Sequence, residues 1–157
     1  MSDKDYTMWK YGGEQISSLH DLQKHLPNIW GFVYKLQLLD PKTNNITFEY
    51  IGKKNLYTKR KRVFGKKEKS SLKDKRLKTY EYVIKESDWK TYLSSNKFIK
   101  ENSKKFFINR EILILSNNDS DLTYQEAKEI ICSGALDDCK FLNDGVSLRR
   151  FGKKIIT

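Results

Sequence analysis

Long apolar runs are missing from this chain. None exceeds a few residues, well short of the ~20 needed to cross a bilayer as a helix, so a helical membrane protein is excluded. The opening Met1-Ser2-Asp3-Lys4-Asp5 has no apolar signal region behind it, which predicts a cytoplasmic protein without membrane contact. Cysteine is nearly absent. Cys132 and Cys139 are the only two. Their spacing matches no zinc or redox motif, and they read as buried free thiols. Histidine is equally sparse, and His20 and His25, five residues apart, do not share a helical face on which to hold a metal. Proline occurs twice: Pro27 stops a short helix, and Pro41 sits in a turn-rich stretch. There is no internal repeat and no sign of a second domain.

Acidic residues are missing from one segment in particular. Lys53 to Lys78 holds 13 Lys/Arg against Glu68 and Asp74 alone, so this stretch carries a charge equal to the +11 of the whole 157-residue chain. Arg149, Arg150, Lys153 and Lys154 form a second basic cluster. Cationic charge so concentrated, with Tyr57, Phe64, Tyr80 and Tyr82 interleaved, points to a polyanion, most often nucleic acid. Lys54, Lys59, Arg62, Lys66, Lys67, Lys69, Lys73, Arg149 and Arg150 are the candidate contacts. Such binding depends steeply on salt. The plainer alternative is a solvated basic loop.

The periodicity predicts a helix capped by Ser17 or Ser18 and running to Leu26. Strands follow over about Gly31–Leu39 and Asn45–Gly52, separated by Asp40-Pro41-Lys42-Thr43-Asn44-Asn45. Asn55–Arg62 reads as a basic helix start and Val63–Lys78 as an exposed basic loop. Tyr80, Tyr82 and Ile84 alternate as in a short strand. Ser95–Glu101 is expected to be helical and Phe106–Leu115 to form a third core strand. Thr123 is expected to cap a helix reaching about Cys132, with Glu126 at capping-box spacing. The chain thus reads as one α/β (α+β) domain: a small three-stranded antiparallel sheet flanked by helices.

Two phenols stand out on the first hairpin. Tyr34 lies in Gly31-Phe32-Val33-Tyr34 and Tyr50 in Tyr50-Ile51-Gly52, with a cationic run directly behind. Taken alone, they read more readily as ordinary cross-strand aromatics than as catalytic groups. Their order resembles the GIY-YIG nuclease superfamily, in a phage-encoded branch. Arg60 stands ten residues past Tyr50, where that family carries an arginine. Glu126 falls on the helix after the third strand, where the family carries a glutamate, and Asn143 answers an asparagine near the end of the core. Phe64 replaces the family's usual histidine. Tyr92-Leu93-Ser94-Ser95 is similar to a Tyr-Gly-Ser-Ser segment of the phage branch, with Leu93 in the glycine's place.

The resemblance covers about 30–62 and 106–145, implying a nuclease core there with a basic insertion over about 63–105, and it implies a Mg²⁺- or Mn²⁺-dependent endonuclease acting on DNA, most readily double-stranded. Glu126 would hold the cation, with Glu111 the alternative acid and a capping role the plainer one. Arg60 would fork onto phosphate oxygens, and Tyr34 would act as general base. A phenol near pKa ~10 needs help for that, and Lys53 is the neighbour expected to lower it. Tyr50 would orient water or phosphate, and Asn143 would fix local structure. Trp89 and Tyr92 read as core. The rival readings are a GIY-YIG-like DNA-binding or inhibitory protein without turnover, and a basic RNA-binding protein.

Overall fold

The computed structural model describes residues 6–71 and 79–146. They divide into two compact units: residues 6–56 with 88–146, and residues 57–71 with 79–87.

The first unit is built on a five-stranded sheet of β1 (Trp9–Tyr11), β2 (Glu14–Ile16), β3 (Gly31–Leu39), β4 (Ile46–Asn55) and β7 (Phe107–Ser116), in the order β2-β1-β7-β3-β4. β3, β4 and β7 are the predicted antiparallel trio, with β4 at the edge of the sheet. The hairpin loop between β3 and β4 closes through Asn44 N–H on the Asp40 carbonyl (2.8 Å). Asn44 takes φ 60°, a left-handed value that asparagine tolerates.

Two strands exceed the three expected. β1 (Trp9–Tyr11) lies parallel to β7, and β2 (Glu14–Ile16) pairs back on β1. Each is three residues long, too short to show a period. Gly12 and Gly13, both at positive φ, supply the tight turn that joins strands of this twist. The shortness of these strands is why a three-stranded sheet was the natural reading.

Helix α1 (Leu19–His25) is capped as expected: the Ser18 hydroxyl accepts from Asp21 N–H, and Asp21 carboxylate accepts from Ser18 N–H. The helix after β7, α4 (Asp119–Cys132), begins earlier than expected, and its cap is Asn118, which accepts from Asp121 N–H at 2.8 Å. Thr123 is therefore inside the helix, buried, and donates to the Asp119 carbonyl. Glu126 is freed from any capping duty. Leu122 and Ile130 of α4 pack on Val33 and Ile51 of the sheet. The opposite layer is aromatic: Trp9, Phe32 and Tyr34 meet edge-on, with Trp89 beside Phe32. Trp89 is fully buried and its carbonyl accepts from Trp9 Nε1 at 2.7 Å, so its core role holds. Cys132 and Cys139 are both exposed, not buried; Cys132 ends α4 on its outer side.

The second unit is a two-stranded ribbon of β5 (Tyr57–Val63) and β6 (Tyr80–Glu86), with a short helix α2 (Lys66–Ser70) between them. The basic helix expected over Asn55–Arg62 is thus a strand. Lys and Arg have good but weak intrinsic helix propensity, which partners across a ladder override. Here Arg62 Nε meets Glu81 at 2.6 Å, and Lys59 and Lys61 lie over the rings of Tyr82 and Tyr80. α3 (Lys97–Asn102), in the first unit, is the helix expected near Ser95–Glu101. No helix among the described residues is long and apolar enough to cross a membrane.

Candidate active site

The site forms on β4, the edge strand. Alternate residues of an edge strand point their backbone groups away from the sheet, and buried ones need partners. On β4 these are Glu49, Ile51 and Lys53, and each is taken. Glu49 exchanges hydrogen bonds with Lys140 and Leu142 (2.9 and 2.8 Å). Ile51 is clamped at both groups by Asn143: its N–H donates to Oδ1 at 2.9 Å, and its carbonyl accepts from Nδ2 at 2.8 Å. Lys53 N–H donates to the Glu126 carboxylate. Asn143 therefore fixes local structure, and Glu126 is drawn to the same edge.

Between these partners lies a polar hollow of about 360 Å³, lined by Tyr50, Ser95, Lys97, Glu126, Asn143 and Asp144. Burial raises the Glu126 carboxyl above its ordinary pKa, and the charge of Lys53 opposes that rise. The Lys53 ammonium donates to Thr123 Oγ1 at 2.5 Å and stands 4.0 Å from Asp119. It is thus held by α4 beside Glu126.

Tyr50 is half-buried. Its hydroxyl bonds Ser94 and Ser95, and burial, first among the causes, raises its pKa, with Glu126 adding to the rise. Tyr34 lies deeper, 1% exposed. Its ring centroid is 6.3 Å from that of Tyr50 and 6.2 Å from that of Tyr92, and its hydroxyl bonds Ser94 and Tyr92. Desolvation pushes the Tyr34 pKa well up. This is opposite to the shift expected from Lys53, whose ammonium is occupied on α4 rather than at the phenol.

Gly52 makes this packing possible. It faces Tyr34 across the β3–β4 ladder. A Cβ there would stand 2.5 Å from the Tyr34 hydroxyl oxygen and 2.9 Å from Tyr50 Cε1. The third letter of Tyr50-Ile51-Gly52 is a steric requirement of the two phenols.

The structure thus brings together Tyr34, Tyr50, Lys53, Glu126 and Asn143. It sets Glu111 apart, exposed on β7 with β3 between it and β4. Arg60 lies in the other unit, on β5 with Lys59 and Arg62, and Lys66, Lys67 and Lys69 lie on α2 of that unit. Lys54 is engaged within the first unit, 2.6 Å from Asp88 and 3.9 Å from the Tyr92 ring centroid. Lys73, Arg149 and Arg150 fall outside the described residues.

Residues that sequence reasoning left out of the site also belong to it. Tyr92, Ser94 and Ser95 bond the two phenols, and their signal was the Tyr92-Leu93-Ser94-Ser95 segment itself. Arg110 supports that segment. It is 2% exposed, donates from Nη1 to the Tyr92 carbonyl at 2.9 Å, and lies over the rings of Tyr6 and Trp9. Its pKa is lowered to about 10, chiefly by burial. Nothing in the sequence distinguished Arg110 or Asp144.

With this arrangement in view, the comparison with known families is decisive: residues 9–146 match the family described as "Putative endonuclease segE, GIY-YIG domain". The chain belongs to this family. No curated protein and no solved structure matches it. The matched span of this segE-type GIY-YIG domain runs from β1 to the residues just past Asn143, so it includes every strand among the described residues and both phenols.

Proposed function

We propose that this chain is a divalent-cation-dependent DNA endonuclease that hydrolyses phosphodiester bonds at the β4 edge. The observation that carries the reading is Glu126: a half-buried carboxylate with a raised pKa, held by Lys53 N–H and opening into a polar hollow with Tyr50.

These residues fit a single Mg²⁺ or Mn²⁺. Among the described residues no group of three or more His, Cys, Asp or Glu could hold a metal, but Mg²⁺ is commonly bound through one or two carboxylates and keeps its other waters. The hollow has room for them, and a carboxylate made basic by burial has reason to accept a cation. When bound, the ion supplies polarisation of the phosphate and stabilisation of the leaving oxygen.

The protein's own groups have distinct tasks in this reading. Lys53 favours the ionised form of Glu126. Tyr50, neutral at pH 7, donates or accepts a hydrogen bond at the attacking water or a phosphate oxygen. Tyr34 is a positioning residue: its buried hydroxyl orients Ser94, which in turn bonds Tyr50. This replaces the general-base role, because a phenol whose pKa is pushed up is protonated throughout the neutral range. Arg60, carried over from the family's motif, would hold non-bridging phosphate oxygens in its planar fork.

A second reading, duplex binding without turnover, is favoured by Phe64, which stands where the family usually has histidine. Incubation with supercoiled plasmid separates the two. A nuclease converts it to nicked or linear DNA with Mg²⁺ and stops in excess chelator. Retardation of intact plasmid with no conversion would establish the second reading.

A further inference from the structure

We infer that the β5–β6 ribbon docks in the major groove of duplex DNA through the face that carries Lys59, Lys61, Tyr80 and Tyr82. The inference rests on the DNA reading above and adds which surface and which groove.

Residues directly opposite in an antiparallel pair share a face. The register therefore puts Lys59 and Lys61 with Ile84 and Tyr82, and Val63 with Tyr80. Arg60 and Arg62 share the other face with Val83 and Glu81. The two faces differ chemically. On the second, Arg62 is neutralised by Glu81 at 2.6 Å and Glu68 at 3.1 Å. On the first, large apolar groups stand in water: Val63 is 61% exposed, Ile84 58% and Tyr82 51%. Lysines lie among them, with Lys59 Nζ 4.5 Å from the Tyr82 ring centroid and Lys61 Nζ 4.1 Å from that of Tyr80. A surface of mixed ammonium and apolar groups suits a partner that offers both negative charge and apolar edges.

Duplex DNA is the occupant these details favour. A stacking platform for single strands needs open ring faces, and here lysines cover a face of each tyrosine. The major groove of B-DNA is ~12 Å wide and admits a two-stranded β-ribbon. It exposes purine N7 and O6 acceptors and thymine methyls, which answer lysine and Ile84 or Val63 respectively. The deep, narrow major groove of A-form RNA does not admit a ribbon.

The test compares charge-matched single variants on the two faces, Lys59→Gln and Lys61→Gln against Lys85→Gln. Lys85 lies opposite Thr58, on the Arg60 face. Binding of the full chain to a fluorescent B-form duplex is followed by anisotropy across a salt series, in chelator so that nothing is cut. Each Lys59 or Lys61 variant is expected to weaken duplex binding at every salt concentration, and Lys85→Gln to leave binding unchanged. Tyr82→Ala should weaken binding without changing its dependence on salt. Wild type should shield guanine N7 from methylation, and the Lys59→Gln/Lys61→Gln double variant should not. Equal effects on both faces, unshielded N7, equal affinity for duplex RNA, preference for single strands, or no duplex binding would each overturn the inference. Because cutting plays no part, its failure is separable from that of the nuclease reading: plasmid cleavage with face-independent binding sinks the ribbon alone.

Discussion

Gly52→Ala probes the contact on which the site's geometry depends. The new Cβ would stand 2.5 Å from Tyr34 Oη, 2.7 Å from Tyr34 Cζ and 2.9 Å from Tyr50 Cε1. All three are below any ordinary carbon contact, and they belong to rigid rings, one of them fully buried. Overpacking of this kind costs about 1–3 kcal/mol. Glycine-to-alanine changes at compatible positions stabilise by about 0.4–1 kcal/mol through the unfolded chain. The clash should win here because two rings must move together, leaving a net loss of about 1–2 kcal/mol. For a chain of this size that is a Tm decrease of about 2–8 °C, read by thermal unfolding. Cleavage should fall more steeply than stability explains, since Tyr50 is displaced from the hollow it lines with Glu126. Adding Tyr34→Phe removes the oxygen of the shortest contact, so the double variant should be less destabilised than the two singles added. Wild-type Tm and normal cutting in Gly52→Ala would refute the arrangement of the two phenols.

Tyr34→Phe should lower single-turnover cleavage by misplacing Ser94 and Tyr50 while leaving the shape of the pH–rate profile intact; loss of an alkaline limb would restore Tyr34 as the base. Asn143→Ala removes both hydrogen bonds to Ile51 and should cost about 1–3 kcal/mol in urea unfolding; unchanged stability would show that the clamp is dispensable. Glu126 has its pKa raised from 4.5 in the folded state, so its ionisation lowers stability as pH rises from the unfolded to the folded value. Glu126→Gln should abolish that fall, and parallel stability–pH curves would contradict the burial of the carboxylate. Arg60→Ala should lower turnover far more than duplex affinity, because many other cations share the binding; proportional loss of both would make Arg60 one phosphate contact among many.

What could be read from the sequence was what rests on period and punctuation. The alternation of Tyr34, Leu36 and Leu38, the turn at Pro41 and the long run ending at Ser116 marked the antiparallel trio β3, β4 and β7, and the serine pair Ser17-Ser18 marked the start of α1. β1 and β2 escaped because three residues carry no period, although Gly12-Gly13 between two short runs was a hairpin signal. Tyr57–Val63 was misread because a run of Lys and Arg looks helical until partners such as Tyr82, Tyr80 and Glu81, twenty residues on, are placed across from it. At the site, Tyr50, Glu126 and Asn143 were legible through family order. Their physical roles were not. That Asn143 clamps Ile51, that Lys53 turns toward α4, and that burial raises rather than lowers the Tyr34 pKa are properties of side-chain packing. The capping-box spacing at Thr123 misled for a related reason: Asn118 lay closer to the true start of α4 and took the cap.

The central claim is that Glu126 at the β4 edge makes this a cation-dependent nuclease. It is tested most directly by single-turnover cleavage of a labelled duplex against Mg²⁺ concentration, wild type beside Glu126→Gln, with duplex binding measured on the same samples. Wild-type cutting should rise with Mg²⁺ and saturate, while Glu126→Gln binds DNA as well or better and does not cut. Cleavage by Glu126→Gln at the wild-type rate, or wild-type cleavage indifferent to Mg²⁺, would contradict the account.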